Sequence, residues 1–266
     1  MKLSPLGERN LRMNVYVTGL LWVAGAMVVG ALIAYLVRRY GLDEGRPDNN
    51  DAAGQAFTIV GGLHAVVVAF VLISLFDAEG TVRDGSYQET QALVSASWAA
   101  ESLPEPAHSE VPRLAHEYAE TVVAKEWPRL QDGRDPGPEG WTLLTRMRSA
   151  LDATELPDDD WLVNQKTDAA SDLTDVYEQR QARLNAVRDN NVGTVLWFVL
   201  AIGSVIFVLL PNLFGGTKLA THVIIVSTLA ATTTLLLYAI YQMQNPFAGG
   251  AKVGPDAFSQ AVARLS

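Results

Sequence analysis

From Ala52 to Phe76 the chain runs without a single Asp, Glu, Lys or Arg. An α-helix needs roughly 20 apolar residues to cross the hydrocarbon core of a bilayer. A backbone in lipid must also satisfy its own polar groups, which favours helix over any open strand. An acidic, amide-rich approach (Asp48, Asn49, Asn50, Asp51) leads into this stretch, and Asp77 and Glu79 close it. Within it Gly61, Gly62, Ala65 and Ala69 are small, Phe70 and Phe76 are bulky, and His64 is the one ionisable group. That mixture fits a helix packed against other helices and lining a path better than a plain lipid anchor.

Three further apolar runs share the pattern: Val15–Val37, Val192–Leu210 and Ala220–Met243. The fold class is therefore all-α integral membrane, with four spans in two pairs. Residues 1–76 form the first pair (spans at 15–37 and 52–76), 77–191 a polar helical region, 192–243 the second pair (spans at 192–210 and 220–243), and 244–266 a tail. Lys2, Arg9 and Arg12 before an apolar run resemble a signal peptide, but the run is too long for that and a second span follows, so it reads as a retained helix. The lipid bilayer is the first partner. In the first span Ala26, Gly30 and Ala34 recur every fourth residue, a spacing that lets helices approach closely in lipid.

Charge concentrates between the two pairs. The 266 residues carry a net charge of −9, which argues against nucleic acid, since phosphate binding needs Lys and Arg. With no cysteine there is no disulfide framework, thiol chemistry or cysteine metal site. The polar region reads as helical throughout. Tyr87–Leu103 forms one helix, stopped by Pro104 and Pro106. A second, capped by Ser109, carries the stripe Val111, Leu114, Tyr118, Val122 and Glu126-Trp127 until Pro128 and Gly133 end it. Trp141, Leu144, Met147 and Leu151 mark a third, and a fourth opens at Asp158-Asp159-Asp160 and runs straight into the third span. These amphipathic helices need partners, either one another or a second copy of the chain.

Four crossings place both termini and the polar region on one side. That side carries Lys2, Arg9, Arg12, Arg83, Arg180, Arg183, Arg188 and Lys252 near the membrane, against Arg38, Arg39, Arg46 and Lys218 on the other. The positive-inside bias makes it the cytoplasmic side of a multi-pass cell-membrane protein.

Several residues carry two readings. Asp48 and Asp51, with Gln55 one turn on, form either an acidic mouth that concentrates cations in an oligomer or a solvated loop in which Asp51 caps the second helix. His64, mid-span, is either a pH sensor or a neutral imidazole bonded to a neighbouring helix. Asp158, Asp159 and Asp160 offer carboxylates to calcium or stabilise the start of a helix; the loop spacing of a calcium site is absent. Threonine hydroxyls in the fourth span are expected to bond back to their own backbone rather than line a path. There is no catalytic triad, phosphate-binding loop or zinc motif, and His108 and His116 lack ligand spacing. The chain reads as no enzyme and calls for no cofactor.

Asn50-Asp51-x-x-Gly54, Ala69-Phe70, Glu126-Trp127-Pro128, Arg180-x-x-Arg183-Leu184, Trp197, Asn245-Pro246-Phe247-x-Gly249-Gly250, Pro255 and Phe258 occur in the order in which the bestrophin-like domain family of bacteria and plants carries them. The chain resembles that family over nearly its whole length. The name implies likeness to bestrophins, homopentameric ion channels with four spans per subunit and a cytoplasmic helical body, in which the second span lines the pore neck. The resemblance implies a homo-oligomer, expected to be a pentamer, passing small inorganic ions. Its pore would be lined by Ile59, Gly62, Val66, Phe70 and Ile73, although Gly62 lacks the bulk expected at the top of such a neck. The same stripe also fits one face of a lipid-facing or packed helix. The acidic mouth favours cations and the bestrophin comparison favours anions. A non-conducting adaptor whose polar helices bind a partner is the alternative function.

Overall fold

In a computed structural model the described residues are 5–40, 50–189, 192–213 and 218–266. The described elements are helices and connecting turns. They divide into two compact units, Met1–Leu75 with Val192–Gln244, and Phe76–Asn191 with Asn245–Ser266.

The first unit holds α1 (Pro5–Tyr40), the first half of α2 (Asn50–Glu101), α7 (Thr194–Leu209) with a 3-10 turn (Leu210–Leu213), and α8 (Leu219–Met243). Each of these four helices is long and apolar enough to cross a membrane. Their outer surfaces are crowded with exposed apolar groups such as Leu20, Trp22, Val28, Val195, Phe198 and Ile224. Such a surface suits a bilayer, which solvates it, and not water.

Glycine lets α1 and α8 approach closely. A Cβ on Gly30 would stand 3.0 Å from Ala230 Cβ, and one on Gly19 would stand 2.7 Å from the Tyr238 ring. Tyr238 also donates its hydroxyl to the Val15 carbonyl at 2.6 Å. Leu200 of α7 and Ile240 of α8 are fully buried beside Val68, Val71 and Leu75 of α2. In α8, Thr232 donates to the Thr228 carbonyl, the back-bonding expected of threonines in an apolar helix, and Ser227 does the same to Val223.

The second unit is built from the rest of α2, α3 (Ala107–Thr121), a π-helical segment (Val122–Glu126), α4 (Trp127–Gln131), α5 (Glu139–Ala153), α6 (Asp160–Asp189) and α9 (Asp256–Arg264). Its core joins Leu93, Leu114, Trp127, Met147, Leu151 and Val176 to Phe247 and Phe258 of the tail.

Four boundaries differ from those expected. Tyr87–Leu103 is no separate helix: α2 continues unbroken for 52 residues, because Gly80 and Gly85 weaken a helix without ending it and no proline intervenes before Pro104. Pro128 does not end the second polar helix. It sits in the first turn of α4, just after the π-helical segment, where its missing N–H is tolerated; the end falls at the other expected residue, Gly133, where the chain turns with φ +68°. Ser109 does not cap α3, which begins two residues earlier; its hydroxyl donates to Glu105 at 2.6 Å, and the Ala107 N–H finds Thr154 Oγ1 at 3.0 Å. Nor does α6 continue into the third span, because Gly193 stands ahead of a new helix start with ψ 154°.

Candidate functional site

The first half of α2 has two unlike faces. At about 3.6 residues per turn, Phe57, Gly61, His64, Val68, Val71 and Leu75 share one side. Phe57 stacks on Phe207 of α7 with ring centroids 5.0 Å apart, and a Cβ on Gly61 would lie 2.7 Å from the same ring. The glycine is there because the phenylalanine fills its place.

His64 pins the middle of this face. Its Nε2 lies 3.2 Å from Ser204 Oγ, and Ser204 already donates to the Leu200 carbonyl at 2.6 Å. The serine proton is therefore used, which assigns the imidazole as the donor at Nε2. Gly203 leaves room for the ring, since a Cβ there would sit 2.8 Å from Nδ1. His64 thus belongs to the α2–α7 contact.

The stripe Ile59, Gly62, Val66, Phe70 and Ile73 occupies the opposite side of α2. All five are exposed in the single chain, Phe70 at 69%, and a Cβ on Gly62 would meet nothing within 4 Å. Gln55 continues this side upward and is exposed, as is Asp51 in the first turn of the helix. Asp51 is therefore inside α2 rather than ahead of it, where its charge suits the helix dipole. Asp48 lies outside the described residues. At the start of α6, Asp159 Oδ1 accepts the Trp161 N–H at 2.8 Å. Among the described residues no three His, Cys, Asp or Glu side chains converge to hold a metal ion.

The second unit contains a charged cluster that the sequence reading had split into fragments. Arg180 grips Glu126 through both oxygens, Nη1 to Oε2 at 2.8 Å and Nη2 to Oε1 at 2.7 Å. One turn along α6, Arg183 binds Glu89 of α2, Nε to Oε2 at 2.8 Å and Nη2 to Oε1 at 3.0 Å. Tyr118 joins the pairs, donating to Glu89 and accepting from Arg180 Nη1 at 3.0 Å. All five side chains are sealed from solvent. Aromatic rings cover the guanidinium groups: Trp141 lies 4.5 Å from Arg180, and Phe258 lies 5.0 Å from Arg183. Gly140 stands so close to Glu126 and Arg180 that any side chain there would collide with them.

Burial is the main reason the Tyr118 phenol titrates far above the usual tyrosine range, and the Glu89 charge adds to it. For both arginines burial opposes the charge. Tyr118 and Glu126 at Arg180, and Glu89 at Arg183, outweigh it and raise the pKa. The cluster is thus a fixed, balanced set of charges. Arg180 and Arg183 are neutralised inside the fold and offer no free charge to a membrane surface.

Glu126, Arg180 and Arg183 stood out in the sequence as motif residues, but Glu89 did not. One signal was present: Glu89 shares a helical face with Val82, Ser86, Leu93 and Ala96, all buried, and an acid on an apolar stripe calls for a buried cation.

Four membrane-length helices with a helical polar body define an all-α membrane protein. The sequence model of the bestrophin-like domain matches residues 24–258, and the chain belongs to that family. Two solved structures share the fold at 12% identity. One is a membrane protein carrying a point substitution (TM-score 0.60, covering 95% of this chain and 97% of that one). The other is a point mutant of a bacterial bestrophin homologue from Klebsiella pneumoniae (TM-score 0.58, 94% and 97%). No curated protein matches the chain.

Proposed function

We propose that this protein is an oligomeric ion channel of the cell membrane, a pentamer of four-span subunits passing small monovalent ions along a central path lined by α2. The observation that carries the reading is the two-sidedness of α2. The side against α7 is filled by Phe57, His64 and Phe207, while the opposite stripe is apolar, uncharged and uncovered in one chain. A ring of such stripes makes a narrow hydrophobic neck that gates by dewetting, with Val66 and Phe70 as its constriction. Membership in the bestrophin-like family and the shared fold of a bestrophin homologue support the same reading.

Asp48, Asp51 and Gln55 would form the mouth, the carboxylates raising the local concentration of cations. The second unit and the tail would lie in the cytoplasm. Because His64 faces α7 and not the stripe, its protonation would act on the packing of α2 rather than on the ions. Planar-bilayer recording with purified protein tests the proposal. Unitary currents at defined ion composition are expected, and a protein that stays electrically silent across ions and pH, or purifies as a monomer, contradicts it.

A further inference from the structure

Between α4 and α5 the chain makes a seven-residue excursion without regular structure, yet it is tightly held. Arg129 reaches over it to the Pro136 carbonyl at 2.7 Å and to Glu139 at 3.1 Å. The Gly137 N–H bonds Asp135 Oδ1 at 2.8 Å, and the Arg134 N–H bonds the Arg129 carbonyl at 2.8 Å. This loop and one face of α6 line an open cavity of about 510 Å³, within the roughly 300–1,000 Å³ range of small-molecule sites.

Leu130, Leu184 and Trp141 supply its apolar walls. Its polar centre is a pair of amides one helical turn apart, Gln181 Nε2 donating to Asn185 Oδ1 at 2.9 Å. That bond uses one donor and one acceptor. It leaves the Gln181 carbonyl and the Asn185 NH₂ with no further partner among the described residues. A neighbouring acceptor and donor read the complementary edge of a planar heterocycle, as Asn and Gln read base edges. Trp141, whose ring also meets Arg180 and Tyr177, lines the same cavity and offers such a ring an aromatic contact. The charges at the rim are largely paired with one another, Arg129 with Glu139 and Arg134 with Asp132, so a guest needs no charge of its own.

We propose that this cavity binds a small, neutral, planar heterocycle with adjacent hydrogen-bond donor and acceptor, of nucleobase size. The exposed carboxylate of Asp135 at the rim disfavours phosphorylated forms and favours the free base or nucleoside. Trp141 also links the site to the buried charges, because Arg180 lies over its ring. The proposal does not depend on conduction.

The test is calorimetric titration of the full-length protein in detergent with adenosine, cytidine, uridine and guanosine, with ribose as the non-aromatic control. Saturable binding of at least one nucleoside below about 1 mM is expected, weakened about tenfold or more in Gln181→Leu and Asn185→Leu. Gln181→Glu and Asn185→Asp keep the side-chain shape, remove the amide donors and guard against loss of folding. Absence of saturable binding by any nucleoside, binding matched by ribose, or binding unchanged in all four variants would overturn the assignment.

Discussion

Arg180 closes a bidentate pair on Glu126 at 2.7 and 2.8 Å, and neither side chain has any solvent exposure. Removing one member of a buried pair strands a charge that water cannot reach, at a cost of about 3–5 kcal/mol. Glu126→Gln is therefore expected to lower the thermal midpoint of the detergent-solubilised protein sharply. Glu126→Gln combined with Arg180→Met is expected to recover part of the loss. An unchanged midpoint in the single variant would mean that the pair is not buried in solution.

Tyr118 sets a pH dependence whose sign follows from its environment. Its folded pKa lies above the ordinary value of 10.0, so above pH 10 the folded state holds a proton that the unfolded state has released. Stability from this group is fully present below that pH and falls as pH rises towards the folded pKa, by about 1.4 kcal/mol per pH unit. Unfolding measured from pH 9 upward should show this slope in the wild type and lose it in Tyr118→Phe. Equal slopes in the two proteins would show that the phenol is not held neutral by the cluster.

Gly61 and Phe207 share one space: a Cβ on Gly61 would lie 2.7 Å from the ring. Gly61→Leu is expected to push α2 off α7 and destabilise the protein by about 1–3 kcal/mol, the usual range for overpacking. Gly62→Leu, whose site is open in the single chain, should be tolerated by the fold and act on conduction instead. A thermal-shift series distinguishes the two, and equal destabilisation would argue against the two-faced description of α2.

His64 donates to Ser204 in the contact between α2 and α7. If its charge state adjusts that contact, His64→Phe flattens the pH dependence of conductance between about pH 5 and 8. An unchanged dependence would leave His64 as packing alone.

The four spans were legible because lipid demands long uncharged runs, and Ala52–Phe76 meets that demand without ambiguity. What the sequence hid was continuity and pairing. Asp77, Glu79 and Gly80 look like the end of an element, but polar residues end a membrane span without ending a helix, so α2 runs on to Glu101. Pro128 looks like a stop, yet the chain stays helical through it; Glu126 and Trp127, placed on the stripe by spacing, are indeed buried, but the π-helical segment that ends at Glu126 left no signal. Arg180 and Arg183 counted as surface charge because their partners, Glu126 and Glu89, lie far away along the chain. The stripe on α2 was visible as spacing, whereas the identity of the opposite, packed face needed Phe207 and Ser204 of α7.

The proposed path is tested most directly by two phenylalanines of matching exposure in the single chain, Phe70 of α2 at 69% and Phe198 of α7 at 66%. Only Phe70 lies on the stripe. In single-channel recordings from planar bilayers, Phe70→Ala should raise unitary conductance or open probability relative to the wild type, and Phe198→Ala should leave both unchanged. Currents insensitive to Phe70→Ala, or equally altered by both substitutions, would contradict a neck formed by α2.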